Sequence, residues 1–101
     1  MSAKYYDEWK SHDDLRGDYP DAPDDNSIVF AGYTYEDYSG SAFVVFVRDG
    51  KVFENHDGHC SCHGLEDWAP EETSLAALRM RKEWQPELDR ALTAFFGPEQ
   101  S

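Results

Sequence analysis

The run Ser41-Ala42-Phe43-Val44-Val45-Phe46-Val47-Arg48, then Asp49-Gly50, then Lys51-Val52-Phe53-Glu54-Asn55 constrains this chain more than any other feature. Ser41 to Arg48 is β-branched and aromatic on both alternating faces, which reads as a central strand covered on both sides. Asp-Gly between two apolar runs is the strongest local hairpin signal, because a type I′ turn needs positive φ at both central positions. The returning strand Lys51 to Asn55 then sets Val47 opposite Val52 and Phe46 opposite Phe53. A slip of one residue would put those pairs on the wrong faces. Ile28 to Tyr35 (I-V-F-A-G-Y-T-Y) reads as a further strand, joined to the central one by a turn at Glu36-Asp37-Tyr38-Ser39-Gly40.

The last third reads as helical. Pro70-Glu71-Glu72-Thr73-Ser74 offers N-cap candidates and negative charge where a helix dipole favours it. Leu75, Ala77, Leu78, Met80 and Trp84 follow, and Pro86 ends or kinks that helix and opens a second one. In the second, Leu88, Ala91, Leu92, Phe95 and Phe96 share one face, and Gly97-Pro98 is a stop. The expected fold is α+β: a small antiparallel sheet of about three strands with one Asp-Gly hairpin, packed against C-terminal helices.

The N-terminal 26 residues read as an acidic segment, partly extended or weakly helical. Tyr5, Trp9 and Leu15 make a sparse helical stripe, and Gly17 to Asp25, with two prolines, reads as exposed and extended. At 101 residues the whole chain is one domain. A core this thin is filled economically by large rings, and the chain has six Phe, six Tyr and three Trp.

Charge excludes some functions. There are 21 Asp plus Glu against 9 Lys plus Arg, a net charge of −12. Such a surface does not neutralise nucleic-acid phosphate or dock on an anionic membrane. It suits a basic partner. No apolar run reaches the roughly 20 residues of a membrane span, and Met1 to Glu8 lacks a signal peptide's apolar stretch. The expected location is a reducing cytoplasm.

One segment is chemically unusual. Both cysteines and three of the four histidines lie between His56 and His63. Thiolate and imidazole are the usual zinc ligands, which makes His59, Cys60, Cys62 and His63 candidate metal ligands. The thiolates are spaced C-x-C rather than C-x2-C, and His12 is the one remote histidine. A structural zinc, and simple packing of two small sulfhydryls, are both open readings. A Cys–His nucleophile pair from adjacent loop residues lacks an orienting group. No phosphate loop or H-E-x-x-H motif is present.

Tyr38-Ser39-Gly40-Ser41-Ala42, Asp49-Gly50-Lys51-Val52-Phe53-Glu54, Gly58-His59-Cys60-Ser61-Cys62-His63-Gly64-Leu65-Glu66 and Trp68-Ala69-Pro70-Glu71-Glu72-Thr73 follow one another in an order that carries a resemblance. The chain resembles a group of small acidic proteins encoded by bacteriophages, of unassigned activity, marked by H-C-S-C-x-G-L-E followed by W-x-P-E. The resemblance covers roughly Ile28 to Met80. It implies a phage product in the host cytoplasm. In that group the position of His63 is commonly aromatic, which leaves His59, Cys60 and Cys62 as the shared trio.

Two functions follow as expectations. The first is a non-catalytic protein that binds and inhibits or modulates a basic host protein, nucleic-acid-handling or defensive, by nucleic-acid mimicry. Its binding residues are Asp13, Asp14, Asp18, Asp21, Asp24, Asp25, Tyr35, Glu36, Asp37 and Tyr38, with exposed Tyr5, Tyr6, Trp9 and Tyr19 beside them. It needs no cofactor. The alternative is a zinc-binding or redox module centred on the His-Cys-Ser-Cys loop, with zinc as its cofactor. An exposed sheet edge would also support a homodimer.

Overall fold

The structure is a computed structural model that describes residues 4–36, 39–60, 68–82 and 84–97. In chain order its elements are β1 (Tyr5–Asp7), α1 (His12–Asp18), a 3-10 turn (Asp25–Ser27), β2 (Ile28–Glu36), β3 (Ser39–Arg48), β4 (Lys51–Cys60), β5 (Glu71–Thr73), α2 (Leu75–Arg79) and α3 (Glu87–Phe96).

The class is α+β, but the expected three-stranded antiparallel sheet is corrected to a mixed sheet of five strands in the order β1-β2-β3-β4-β5. β1 pairs parallel to β2, and the remaining pairs are antiparallel. The two additional strands are three-residue edges, too short to show any alternation in sequence. Tyr5-Tyr6-Asp7 and Glu71-Glu72-Thr73 become strands because β2 and β4 offer them unpaired backbone groups. β4 also runs five residues beyond the expected Asn55, to Cys60. Its His, Asn, Asp and Gly have low strand propensity, and the ladder with Ser39–Val44 overrides it.

The central hairpin follows the residue pattern. Asp49 and Gly50 take φ of 55° and 77°. Arg48 faces Lys51, Val47 faces Val52 and Phe46 faces Phe53, with the two rings stacked at 5.4 Å. β3 is central, and each of its faces is buried under a different layer. Ala42, Val44 and Phe46 point into one cluster with Ile28, Ala31, Trp9, Leu15, Tyr19 and Ala22. Phe43 and Val45 point into another with Val29, Phe30, Leu78, Leu88, Ala91 and Leu92. Val29 and Phe30 are adjacent yet share a face. A register shift between Ile28 and Phe30, a β-bulge, makes that possible.

The layer over the first face is the N-terminal segment. Its Trp9 and Tyr19 are 1% and 2% exposed, which corrects the reading of both as surface aromatics and of Gly17 to Asp25 as wholly exposed. Trp9 stands edge-on to Tyr19 at 5.8 Å, and Tyr19 lies 5.1 Å from Trp68. Ser11 caps α1 by accepting from the Asp14 N–H, and Asp14 accepts from the Lys10 N–H at 2.9 Å.

The second face is covered by α2 and α3. Ser74 caps α2 by accepting from the Ala77 N–H at 3.1 Å. α2 stops at Arg79 rather than running to Trp84, because two side chains beyond it are drawn to the sheet. Arg81 reaches Glu54 on β4. Trp84 turns its ring onto Gly32 of β2, where an added Cβ would lie 2.7 Å from the ring. Trp84 takes a left-handed φ of 66° there, a position strained for a bulky residue. Pro86 precedes α3, which buries Leu88, Ala91 and Leu92 and leaves Phe95 and Phe96 40% and 37% exposed. No helix among the described residues is long and apolar enough to cross a membrane.

Candidate functional site

The N-terminal layer is two-sided. Between Asp7 and Asp25 it carries eight acids: Asp7, Glu8, Asp13, Asp14, Asp18, Asp21, Asp24 and Asp25. All eight are exposed, while Trp9, Leu15, Tyr19 and Ala22 between them are buried. The sequence order places rings inward and carboxylates outward on one covering layer.

Several of these carboxylates are held in place. Asp18 Oδ2 accepts from the Trp9 indole N–H at 2.8 Å. Asp25 Oδ1 accepts from the Tyr5 hydroxyl at 2.5 Å, and the Lys4 ammonium lies 3.4 Å away. The Tyr5 hydrogen bond is the main reason the Asp25 carboxyl sits below its ordinary value, with burial opposing and Lys4 and His12 assisting. Burial first, then the bond and charge of Asp25, push the Tyr5 hydroxyl well above the phenol range. Asp24 faces Arg16 at 3.8 Å, and Arg16 also donates to the Ala22 carbonyl at 2.9 Å. The His12 Nε2–H donates to the Pro23 carbonyl at 2.8 Å and closes α1 onto the following loop. Among the described residues, the side chains of Asp13 and Asp21 enter no hydrogen bond or ion pair. The basic residues of the layer, Lys4, Lys10 and Arg16, all donate to backbone carbonyls of the same layer.

The other sequence-derived candidates lie elsewhere. Tyr35 and Glu36 are the last residues of β2, in register with Gly40 and Ser39 of β3. Those same β3 residues pair on their other side with His59 and Cys60 of β4. The ladder therefore gathers Tyr35, Glu36, His59 and Cys60 at one end of the three long strands. Asp37, Tyr38, Cys62 and His63 lie outside the described residues. Among the described residues no group of three or more His, Cys, Asp or Glu is placed to hold a metal ion.

A polar centre on the opposite sheet face escaped the sequence reading. Glu54 on β4 is 5% exposed within an otherwise apolar face. Arg81 Nη2 donates to both of its oxygens, at 2.7 and 2.8 Å. The His56 Nε2 bonds the same carboxylate, and the His56 ring lies 4.5 Å from Phe43. Burial pulls the Glu54 carboxyl upward, but hydrogen bonds from Arg81, Thr73 and His56 and the Arg81 charge outweigh it, and the carboxyl ends below its ordinary value. With donors from β4, β5 and the segment after α2 converging on it, this carboxylate ties the helical layer to the sheet. The available signal was position: Glu54 lies two residues after Val52, on the same strand face, and its partner across the ladder is Val45, so its side chain has to enter the core.

The chain matches no protein-family model, and searches of characterised proteins and of solved structures gave no significant match.

Proposed function

We propose that the chain is a non-catalytic binding protein that engages a basic surface of a partner protein and competes there with nucleic acid. The observation that carries this reading is the construction of the N-terminal layer. Eight acids are exposed on a segment whose aromatic residues are locked into the core, and Trp9 and Tyr5 orient two of the carboxylates. Carboxylates fixed before binding lose less conformational freedom on association than carboxylates on a mobile tail. Duplex DNA presents one charge per about 1.7 Å of axis, and a dense acidic layer in which several carboxylates are held in place addresses the same Lys and Arg. Taken with the phage resemblance, the partner class is a host protein that handles nucleic acid or defends against phage, met in the host cytoplasm.

Competition against duplex DNA on a panel of purified bacterial DNA-binding proteins tests the reading. Displacement is expected for at least one panel member. It should weaken as salt rises, because the contacts are exposed and screened. It should also weaken in the Asp13→Asn/Asp21→Asn variant. Affinity that is indifferent to both salt and these substitutions would overturn the proposal. Native mass spectrometry with and without chelator, on reduced protein, separates this reading from a metal-stapled module.

A further inference from the structure

The chain contains two Asp-Gly pairs, Asp49-Gly50 and Asp57-Gly58. This dipeptide is prone to rearrangement, because glycine puts no Cβ in the way when its backbone nitrogen approaches the preceding side-chain carboxyl. The fold gives the two pairs opposite surroundings.

Asp49 and Gly50 are both exposed and form the two-residue turn between β3 and β4. Their φ values of 55° and 77° lie outside the extended range of the strands. A Cβ built on Gly50 meets nothing within 4 Å, so space around the turn is open. Asp57 and Gly58 instead sit inside the β3–β4 ladder, in register with Ala42 and Ser41. The Asp57 carboxylate accepts from the Tyr19 hydroxyl at 2.5 Å, and Tyr19 is 2% exposed.

We infer that Asp49-Gly50 is a site of spontaneous backbone modification, isoaspartate formation, and that the fold protects Asp57-Gly58 from the same reaction. The Gly50 nitrogen attacks Asp49 Cγ. A C–N bond forms, the amide proton is lost, and the carboxyl hydroxyl leaves as water. The resulting five-membered imide is opened by solvent water at either carbonyl. Opening at the side-chain carbonyl restores aspartate. Opening at the main-chain carbonyl leaves the backbone running through Cγ. The two waters cancel, the mass is unchanged, and no oxidant or reductant takes part. The product adds one methylene to the main chain of a two-residue turn. It therefore disturbs the Arg48–Lys51 closure that sets the register of the hairpin. At Asp57 the same ring closure requires the carboxylate to leave Tyr19 and the backbone to leave the ladder, which happens only in a locally opened state.

The test is ageing of the full-length folded protein in mildly acidic buffer at physiological temperature. Proteolysis and chromatography then separate equal-mass peptides, and an isoaspartyl methyltransferase labels the product. The Asp49 peptide should convert at least about tenfold faster than the Asp57 peptide, each factor of ten corresponding to about 1.4 kcal/mol of local opening. In denaturant the two rates should converge. Equal rates in the folded protein, or faster conversion at Asp57, would overturn the inference. So would a folded chain in which Asp49 does not convert although the denatured chain converts there. The Asp49→Glu variant provides a second arm. A six-membered ring closes far less readily, so labelling of the turn peptide should vanish, and its persistence would also count against the assignment.

Discussion

At the scale of single residues, Glu54 carries the most consequence. It is a nearly buried carboxylate bonded by Arg81 and His56, and none of those partners is near it in the helix-or-strand pattern except His56. Glu54→Gln keeps the shape, halves the acceptor capacity and removes the carboxylate charge that faces Arg81. Because Arg81 is 39% exposed, solvent recovers part of the loss, and the expected cost is about 1–3 kcal/mol rather than that of a fully buried pair. The folded carboxyl lies below its ordinary value, so the unfolded chain binds a proton first as pH falls. The contribution is complete above the ordinary glutamate value of about 4.3 and fades as pH drops through the folded one. Urea melts across acidic pH should show the wild type losing its advantage over Glu54→Gln until the two curves meet. Gly32 is the other residue whose role depends on a distant partner: nothing in I-V-F-A-G-Y-T-Y announces that the Trp84 ring will occupy the space above it.

At the scale of elements, the legible parts are those with long, regular patterns. The apolar run of β3, the Asp-Gly turn and the Phe46–Phe53 register are local consequences of residue type. The end of α3 is equally local, with Gly97 at φ 95° after Phe96. α2 is a weaker case. At five residues it cannot sustain itself by propensity. It depends on the Ser74 cap and on Leu78, which is fully buried. Ser74→Ala should cost about 1 kcal/mol. Amide exchange should accelerate over Leu75–Arg79 more than in β3. Uniform acceleration across the molecule would mean that the cap stabilises only the global fold. The three-residue strands β1 and β5 were not legible, since Tyr-Tyr-Asp and Glu-Glu-Thr acquire strand character from the edges they complete.

At the scale of the whole molecule, the sheet has two coverings made by different ends of the chain. The N-terminal one is structural on its inner side and acidic on its outer side. Trp9→Ala removes a ring that is 1% exposed and touches Tyr19 and Tyr33, and should cost about 3–5 kcal/mol. Asp13→Asn and Asp21→Asn, on the same segment, should stay within about 0.5 kcal/mol of wild type. Chemical denaturation of the three variants checks both expectations. Similar losses for all of them would show that the acids hold the layer on, and would weaken their assignment to a partner.

The sequence by itself determined the charge, the α+β class, the central hairpin with its register, and the glycine stop of α3. These rest on short-range chemistry: side-chain period and turn conformations open to Asp and Gly. Only the tertiary structure decided that the acidic N-terminal segment covers a sheet face, and that β1 adds in parallel. The same holds for Glu54 meeting Arg81 and for Trp84 interrupting the helix to fill the notch at Gly32. Each of these joins residues far apart in the chain. Burying rings against a sheet, completing a strand edge and satisfying a buried carboxylate lower the free energy only once both partners are in place, so neither partner's local sequence records the outcome.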